Sequence, residues 1–200
     1  MNWNEDYAPD AFDVKVAELL VATADGSDVL IEDSVPEVLR LLRSKMNMDV
    51  VFVSEFTEGR REFRYVEQAP GEELISAGMS DPLEESWCQR VVDGRLPGLV
   101  RNAGDLQARG ELPATPFPIG THLSTPIVLS DGAVYGTLCC FSFGVNEKIT
   151  ERDMNKLRYT AGLTASKIDK SRHDQKVRDS QRMELQPMQD SGYSGFKGSL

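Results

Sequence analysis

The segment from Ile119 to Phe143 constrains the fold of this chain more than any other part of it. Two stretches rich in β-branched and apolar residues, Ile119–Leu129 and Ala133–Phe143, are joined by the loop Ser130-Asp131-Gly132. A three-residue loop with glycine at its last position is typical of a β-hairpin that carries a bulge. The chain must therefore contain an antiparallel pair of strands near residue 130.

The loop also predicts which side chains share a face of the sheet. In the simplest register, Leu123 faces Cys139 and Thr121 faces Phe141 on one side, with His122 on the other. Both sides are largely apolar or small, so we expect both faces of this sheet to be covered by other elements.

A helix and a second hairpin are predicted upstream. Ser34 suits the N-cap and Pro36 the first turn of a helix that ends near Asn47. Its apolar stripe comprises Val35, Val38, Leu39, Leu42 and Met46. The segments Asp49–Phe56 and Glu62–Gln68 then read as two strands joined by a tight turn. A shorter helix is expected around residues 12–20.

The middle of the chain predicts one more helix, followed by irregular structure. Asp81 and Pro82 suit its cap and first position, Glu84 its capping box, and Gly94 its end. Short elements are expected in 96–112, and beyond them three prolines exclude regular structure: Pro113, Pro116 and Pro118.

A long helix closes the folded part of the chain. Thr150 is its expected cap and Asp153 stands at the capping-box position. The seam of this helix comprises Met154, Leu157, Ala161, Thr164 and Ile168. Mixed charges continue to about Arg182, and the glycines after Pro187 predict a flexible tail.

Charge and hydropathy exclude several classes of function. Residues 1–146 carry 11 Lys and Arg against 24 Asp and Glu, a net charge of −13, whereas nucleic-acid binding needs a basic surface. No apolar run is long enough to span a bilayer, and the first residues resemble no signal peptide. We therefore expect a cytoplasmic protein that binds neither nucleic acid nor membrane.

The cysteines predict neither a disulfide framework nor a metal site. There are three of them, and Cys139 and Cys140 are adjacent in a strand, so their side chains should point to opposite faces. With only two histidines, no zinc-binding pattern is present, and no cofactor is expected. Reduced, buried thiols are the simplest expectation.

The order of these elements, together with four segments of sequence, resembles the GAF domain, and in particular GAF domains that accompany bacterial signalling modules. These segments are Met48–Phe56, Trp87–Pro97, Ser130-Asp131-Gly132 and Tyr135–Phe141. The resemblance implies an α+β fold: an antiparallel sheet with N- and C-terminal helices on one face, and a helix and loops around a small-molecule pocket on the other. It divides the chain into an extension (1–32), the GAF-like domain (33–168), a charged helical extension (169–186) and a tail (187–200).

The resemblance also indicates where a ligand would bind. The expected pocket residues lie on the central helix, its exit loop and the facing strands: Trp87, Cys88, Arg101, Asn102, Phe117, Thr121, Leu123 and Cys139. Arg101 suits an anionic ligand. The alternative is that the apolar members only fill the core.

The function that follows is a non-catalytic sensor, which binds an unknown small molecule or a signalling output protein and signals through its flanking helices. Some GAF domains attach a bilin through a cysteine followed by histidine, but here Gln89 follows Cys88. The alternatives are a thiol oxidoreductase similar to GAF-fold free methionine sulfoxide reductases, or a scaffold with a vestigial pocket. The reductase would need several cysteines at one pocket and a nearby cation, for which Arg90 and Arg101 are candidates.

A homodimer held by the first and last helices is expected.

Overall fold

The computed structural model describes residues 7–22, 29–71 and 73–184, and these form helices on both faces of one antiparallel sheet. The helices are α1 (Ala11–Ala22), α2 (Val29–Met46), α3 (Trp87–Val92), α4 (Ala103–Ala108) and α5 (Glu151–Glu184). The strands are β1 (Val50–Thr57), β2 (Arg60–Gln68), β3 (Ser80–Pro82), β4 (Leu99–Val100), β5 (Thr121–Val128) and β6 (Val134–Ser142).

The six strands lie in the order β3-β2-β1-β6-β5-β4, and every neighbouring pair is antiparallel. Strands β1 and β6 therefore form the centre of the sheet, which joins the two predicted hairpins. The predicted α+β architecture is confirmed. No helix in the described ranges combines the length and the hydropathy needed to cross a bilayer.

Two apolar clusters lie on opposite faces of the sheet. The helix side contains α1, α2 and α5 packed on Val51, Val53 and Leu138, and every residue predicted for the stripe of α2 is buried there. The opposite side, which we call the α3 side, contains α3 and α4 over Phe52 and Phe141. Cys140 belongs to the first cluster and Cys139 to the second, so the predicted separation of these two thiols is confirmed.

The predicted register of the β5–β6 hairpin is wrong by one residue. The predicted register is correct only beside the loop, where Val128 pairs with Val134. A bulge between Ile127 and Val128 shifts all the other pairs by one residue. Leu123 therefore pairs with Cys140 and lies on the helix side. A shift of one residue exchanges the faces of a strand, because side chains alternate along it.

Two predicted helix starts are also wrong. Helix α2 begins at Val29, so Ser34 is an interior residue, and its hydroxyl accepts a hydrogen bond from Lys167 Nζ at 2.6 Å. Helix α3 is capped by Ser86, whose Oγ accepts from the Gln89 amide at 3.1 Å. Asp81 instead lies in β3, the edge strand, where proline is tolerated because the outer edge needs no donor.

The start of α5 follows the prediction. The Thr150 amide and hydroxyl both donate to Asp153 Oδ2, at 2.9 and 2.7 Å, which closes a capping box before Glu151.

Candidate functional site

A cluster of buried polar side chains lies at the centre of the α3 side, within an otherwise apolar core. Its members are all 0% exposed, and we call them the thiol cluster: Ser54, Cys88, Ser124, Thr137 and Cys139. Ser54 Oγ and Thr137 Oγ1 are 2.9 Å apart, and the Cys139 sulfur lies 3.2 Å from Thr137 Oγ1. Ser124 Oγ lies 2.9 Å from the same sulfur. Strands β1, β5 and β6 thus supply a continuous series of hydrogen-bonded side chains.

Cys88 completes this chain from the opposite wall. The cap at Ser86 starts α3 so that Cys88 lies in its first turn, and the Cys88 and Cys139 sulfurs approach to 3.4 Å. Both cysteines are reduced, because a disulfide would bring the sulfurs to about 2.05 Å. Two thiols in direct contact form a dithiol site, which neither cysteine would form alone.

Arg61, on strand β2, supplies the positive charge at this site. Its Nη1 lies 3.3 Å from the Cys88 sulfur, while its Nε donates to Asp81 Oδ1 at 3.0 Å and its Nη2 donates to Asp81 Oδ2. The guanidinium also stacks on the Phe63 ring at 4.6 Å. Aromatic stacking and a bidentate carboxylate together fix the position of an arginine.

These contacts separate the ionisation of the two thiols. Burial alone would raise the pKa of Cys88, but the hydrogen bond from Cys139 and the charge of Arg61 outweigh it and lower the pKa. The pKa of Cys139 is raised by burial and by the neighbouring Cys88. Of the two thiols, Cys88 is therefore the one that loses its proton more readily, with its charge beside Arg61.

His122 and Trp87 form the wall of the site next to the thiol cluster. The two rings meet edge to face with centroids 5.3 Å apart, and Trp87 Nε1 donates to the Pro113 carbonyl at 3.1 Å. Burial, with a smaller effect of the Arg61 charge, lowers the pKa of His122 to about 3, so the ring is neutral. Within the described part of the chain, its Nδ1 has no hydrogen-bond partner.

Four of the eight predicted pocket residues lie together on the α3 side. Trp87, Cys88 and Cys139 are buried in its cluster, and Phe117 stacks on Phe141 with centroids 5.3 Å apart. The side chains of this group pack in the apolar core of the α3 side.

The other four residues are placed differently. Leu123 lies on the helix side, as the shifted register requires. Thr121 Oγ1 donates to the Arg101 carbonyl at 2.8 Å and accepts from the Asn146 amide at 2.8 Å, so it joins two loops. Arg101 is exposed, and Asn102 caps α4 by accepting from the Asp105 amide at 3.3 Å.

Sequence reasoning missed Arg61, Ser124 and Thr137. The cations considered for thiol activation were Arg90 and Arg101, but the guanidinium at the thiol belongs to a strand 27 positions from Cys88. Ser124 was assigned to the wrong face by the register error. Only the alternation of Arg61 and Phe63 along β2 could have placed that arginine on the α3 side.

A second feature lies on the helix side, where α5 leaves the sheet. A cavity of about 240 Å³ opens there, with Glu55 among its charged residues. Arg64 Nε and Arg172 Nη2 each lie 3.4 Å from a Glu55 oxygen, and the Tyr135 hydroxyl donates to Glu55 at 3.2 Å. This network joins the β1 and β6 strands to the second half of α5.

Comparison with known proteins agrees with this architecture. A family model described as GAF domain matches residues 31–169. The GAF domain of an Acinetobacter phosphoenolpyruvate-protein phosphotransferase superposes with a TM-score of 0.64 at 16% identity, covering 84% of this chain and 98% of that one. The phycoerythrobilin-bound GAF domain of a cyanobacterial phytochrome gives 0.63 at 12% identity, with 84% and 100% covered.

A free methionine-R-sulfoxide reductase from Neisseria meningitidis, solved with its substrate, gives a TM-score of 0.60 at 18% identity, covering 84% of this chain and 96% of that one. No protein of curated function matches the sequence. At such identities the structural likenesses establish the fold alone, and the proteins concerned include a phosphotransferase, a phytochrome and a sulfoxide reductase.

Proposed function

Because the chain belongs to the GAF domain family, we propose that it is a regulatory module that binds a small molecule or a protein partner and transmits the signal through helix α5. In this proposal the module is non-catalytic and acts in the cytoplasm, where reduced thiols such as its three cysteines persist. One observation supports this proposal: the first half of α5 packs in the core, whereas its last residues are exposed and extend beyond it.

Helix α5 has 34 residues and is therefore about 51 Å long at 1.5 Å per residue. Met154, Leu157 and Ala161 are buried in its first half, whereas every side chain of 175–183 is exposed. A continuous helix transmits a shift of its buried half to its free half. A signalling output attached there would receive that shift.

The contacts at the point where α5 leaves the domain suit this role. Ser130, in the β5–β6 loop, donates its amide to Asp169 Oδ2 at 2.8 Å, and Arg172 lies over the Tyr135 ring at 5.3 Å. Strand β6 carries Tyr135 at this junction and Cys139 in the thiol cluster, so one strand links the α3 side to the free end of α5. A ligand that displaces β6 would move the helix.

A thermal-shift screen of nucleotides, amino acids and small organic acids on the reduced full chain tests ligand binding. A ligand at 100 times its Kd stabilises the fold by about 2.7 kcal/mol, a shift that is easily measured. The proposed ligand residues are those on the α3 side, with Arg101 as an anion contact, so Phe117→Ala should abolish the shift. The exposed Val145→Ala is the matched control. No stabilisation by any compound would favour the scaffold alternative.

Hydrogen exchange then tests transmission. The ligand found in the screen should change the exchange rates of amides in 165–180, where α5 passes from buried to free. A ligand that binds and leaves those rates unchanged would contradict the role of α5, while binding itself would stand.

Thiol oxidoreductase activity is the second candidate, and the contact between Cys88 and Cys139 beside Arg61 is the observation that favours it. Reduction of free methionine sulfoxide is the assay, with dithiothreitol as the reductant and with Cys88→Ser and Cys139→Ser as controls. The regulatory proposal expects no turnover. Turnover that is abolished by both substitutions would contradict the regulatory proposal and support the oxidoreductase.

A further inference from the structure

We propose that the thiol cluster is a redox modification site, in which Cys88 and Cys139 form a reversible disulfide when the chain reacts with a hydroperoxide. This inference goes beyond the regulatory function and does not depend on a ligand or on signalling through α5. It rests on the arrangement of two sulfurs, one guanidinium and two hydroxyls.

The geometry of the pair favours an intramolecular bond. The sulfurs are 3.4 Å apart and in direct contact, so bond formation requires a closure of about 1.4 Å. Cys139 is fixed in a central strand, whereas α3 has only six residues and is followed closely by Gly94, which adopts a positive φ of 79°. We therefore expect the helix to move toward the sheet. Cys140 cannot compete, because its side chain lies on the other face.

The reaction balances as a two-electron oxidation of the thiol pair. The Cys88 thiolate attacks one oxygen of the peroxide, the O–O bond breaks, and Cys88 becomes a sulfenic acid. The leaving alkoxide, or hydroxide from hydrogen peroxide, takes the thiol proton of Cys139. The Cys139 sulfur then attacks the Cys88 sulfur, forms the S–S bond and releases hydroxide, which solvent protonates. Both steps follow the ordinary chemistry of thiolates and sulfenic acids.

Arg61 acts on the first step because its Nη1 touches the reacting sulfur. The guanidinium stabilises the Cys88 thiolate, and it also links that buried sulfur to Asp81, whose side chain is 40% exposed. In the disulfide neither sulfur carries charge, so Asp81 is the ionic partner that Arg61 keeps. Oxidation therefore changes the electrostatics of the β2–β3 edge as well as the position of α3.

Thiol counting on the full chain is the direct test. Protein reduced with dithiothreitol and then desalted is treated with a small molar excess of hydrogen peroxide, denatured and titrated for free thiols. The expected count falls from three to one and returns to three after dithiothreitol. A count that stays at three, or a loss that dithiothreitol does not reverse, would overturn the proposal.

Peptide mapping identifies the bond. Cys88 falls in the tryptic peptide Tyr65–Arg90, while both other cysteines fall in Gly110–Lys148. The Cys140→Ala variant therefore makes the assignment unique, and we expect it to form the cross-link as the wild type does. A bond that involves Cys140 in the wild type, or a link between two chains, would contradict the proposal. In Cys139→Ala, dimedone should instead trap Cys88 as a sulfenic acid.

The role of Arg61 is tested by the rate. Arg61→Gln should slow disulfide formation about tenfold or more, and Arg61→Lys should restore much of the rate, because the effect is electrostatic. Arg60→Gln, a neighbouring exposed arginine, is the matched control and should react like the wild type. If Arg60→Gln and Arg61→Gln form the disulfide at equal rates, Arg61 has no role in the reaction. Circular dichroism confirms that each variant is folded.

Discussion

At the scale of single residues, His122 makes the stability of the domain sensitive to acid. Its folded-state pKa of about 3 lies below the ordinary histidine value of about 6.5, because the ring is buried beside Trp87. The unfolded chain therefore binds a proton that the folded chain rejects, and stability falls as the pH decreases through the window between these two values. Above the ordinary value this contribution is fully present.

We expect the free energy of unfolding of the wild type to fall by about 2 kcal/mol from this residue alone between pH 7 and pH 5. Urea unfolding of the wild type and His122→Gln at both pH values measures it, since the glutamine does not titrate. The pH-dependent loss should be smaller in the variant by that amount. His173→Gln, on the exposed part of α5, should keep the full loss. Equal losses in the wild type and His122→Gln would contradict the assignment.

At the scale of elements, helix α1, which lies outside the matched region of the family model, is attached to α5 by a buried charge network. Lys156 Nζ, on α5, donates to Asp10 Oδ2 at 2.6 Å and to Asp13 Oδ2 at 3.2 Å. The side chains of Lys156 and Asp13 are only 3% and 0% exposed. Removing one member of such a pair leaves an uncompensated buried charge.

Lys156→Met should therefore lower the free energy of unfolding by about 3–5 kcal/mol. Arg152→Met is the matched control, because Arg152 forms an ion pair with Asp10 at 3.4 Å and its side chain is 65% exposed. It should cost less than about 1 kcal/mol. Urea unfolding measures both, and limited proteolysis shows whether α1 detaches first in Lys156→Met. Similar losses in the two variants would mean that burial of the Lys156 pair is unimportant.

The elements themselves were largely predictable, because hydrophobic periodicity and capping residues act locally. The capping box at Thr150 and Asp153 and the alternation in both hairpins gave the right helices and strands. The α3 side was not predictable to the same degree, since a single bulge at Ile127 decides which face each β5 side chain takes. The contact of Arg61 with Cys88 joins two distant segments, and no local pattern specifies such a contact.

At the scale of the whole molecule, the proposal that remains is a homodimer held by the terminal helices. The residues first expected to share the contact do not reach the surface: Val35, Val38 and Leu42 are buried in the domain's own core, and Ile168 packs partly against it. Within the described part of the chain, α1 carries outward apolar side chains, and the free half of α5 carries two more, Val177 and Met183. Val16 and Leu20 of α1 face inward, whereas Val14 and Val21 are 51% and 58% exposed.

Two valines seven positions apart lie on one face of a helix, which suits packing against the same face of a second copy beside α5. We expect light scattering of the intact chain at micromolar concentration to give twice the 22.2 kDa mass of one chain. Replacing both Val14 and Val21 with glutamate should raise the dimer Kd by about tenfold or more, or about 1.4 kcal/mol, by placing like charges at the contact. Val145→Glu changes a valine that is 50% exposed in the loop between β6 and α5, outside both helices, and should leave the dimer intact. A monomer mass for the wild type would contradict the dimer. If Val145→Glu weakened the dimer as much as the double variant does, the contact would not lie on α1.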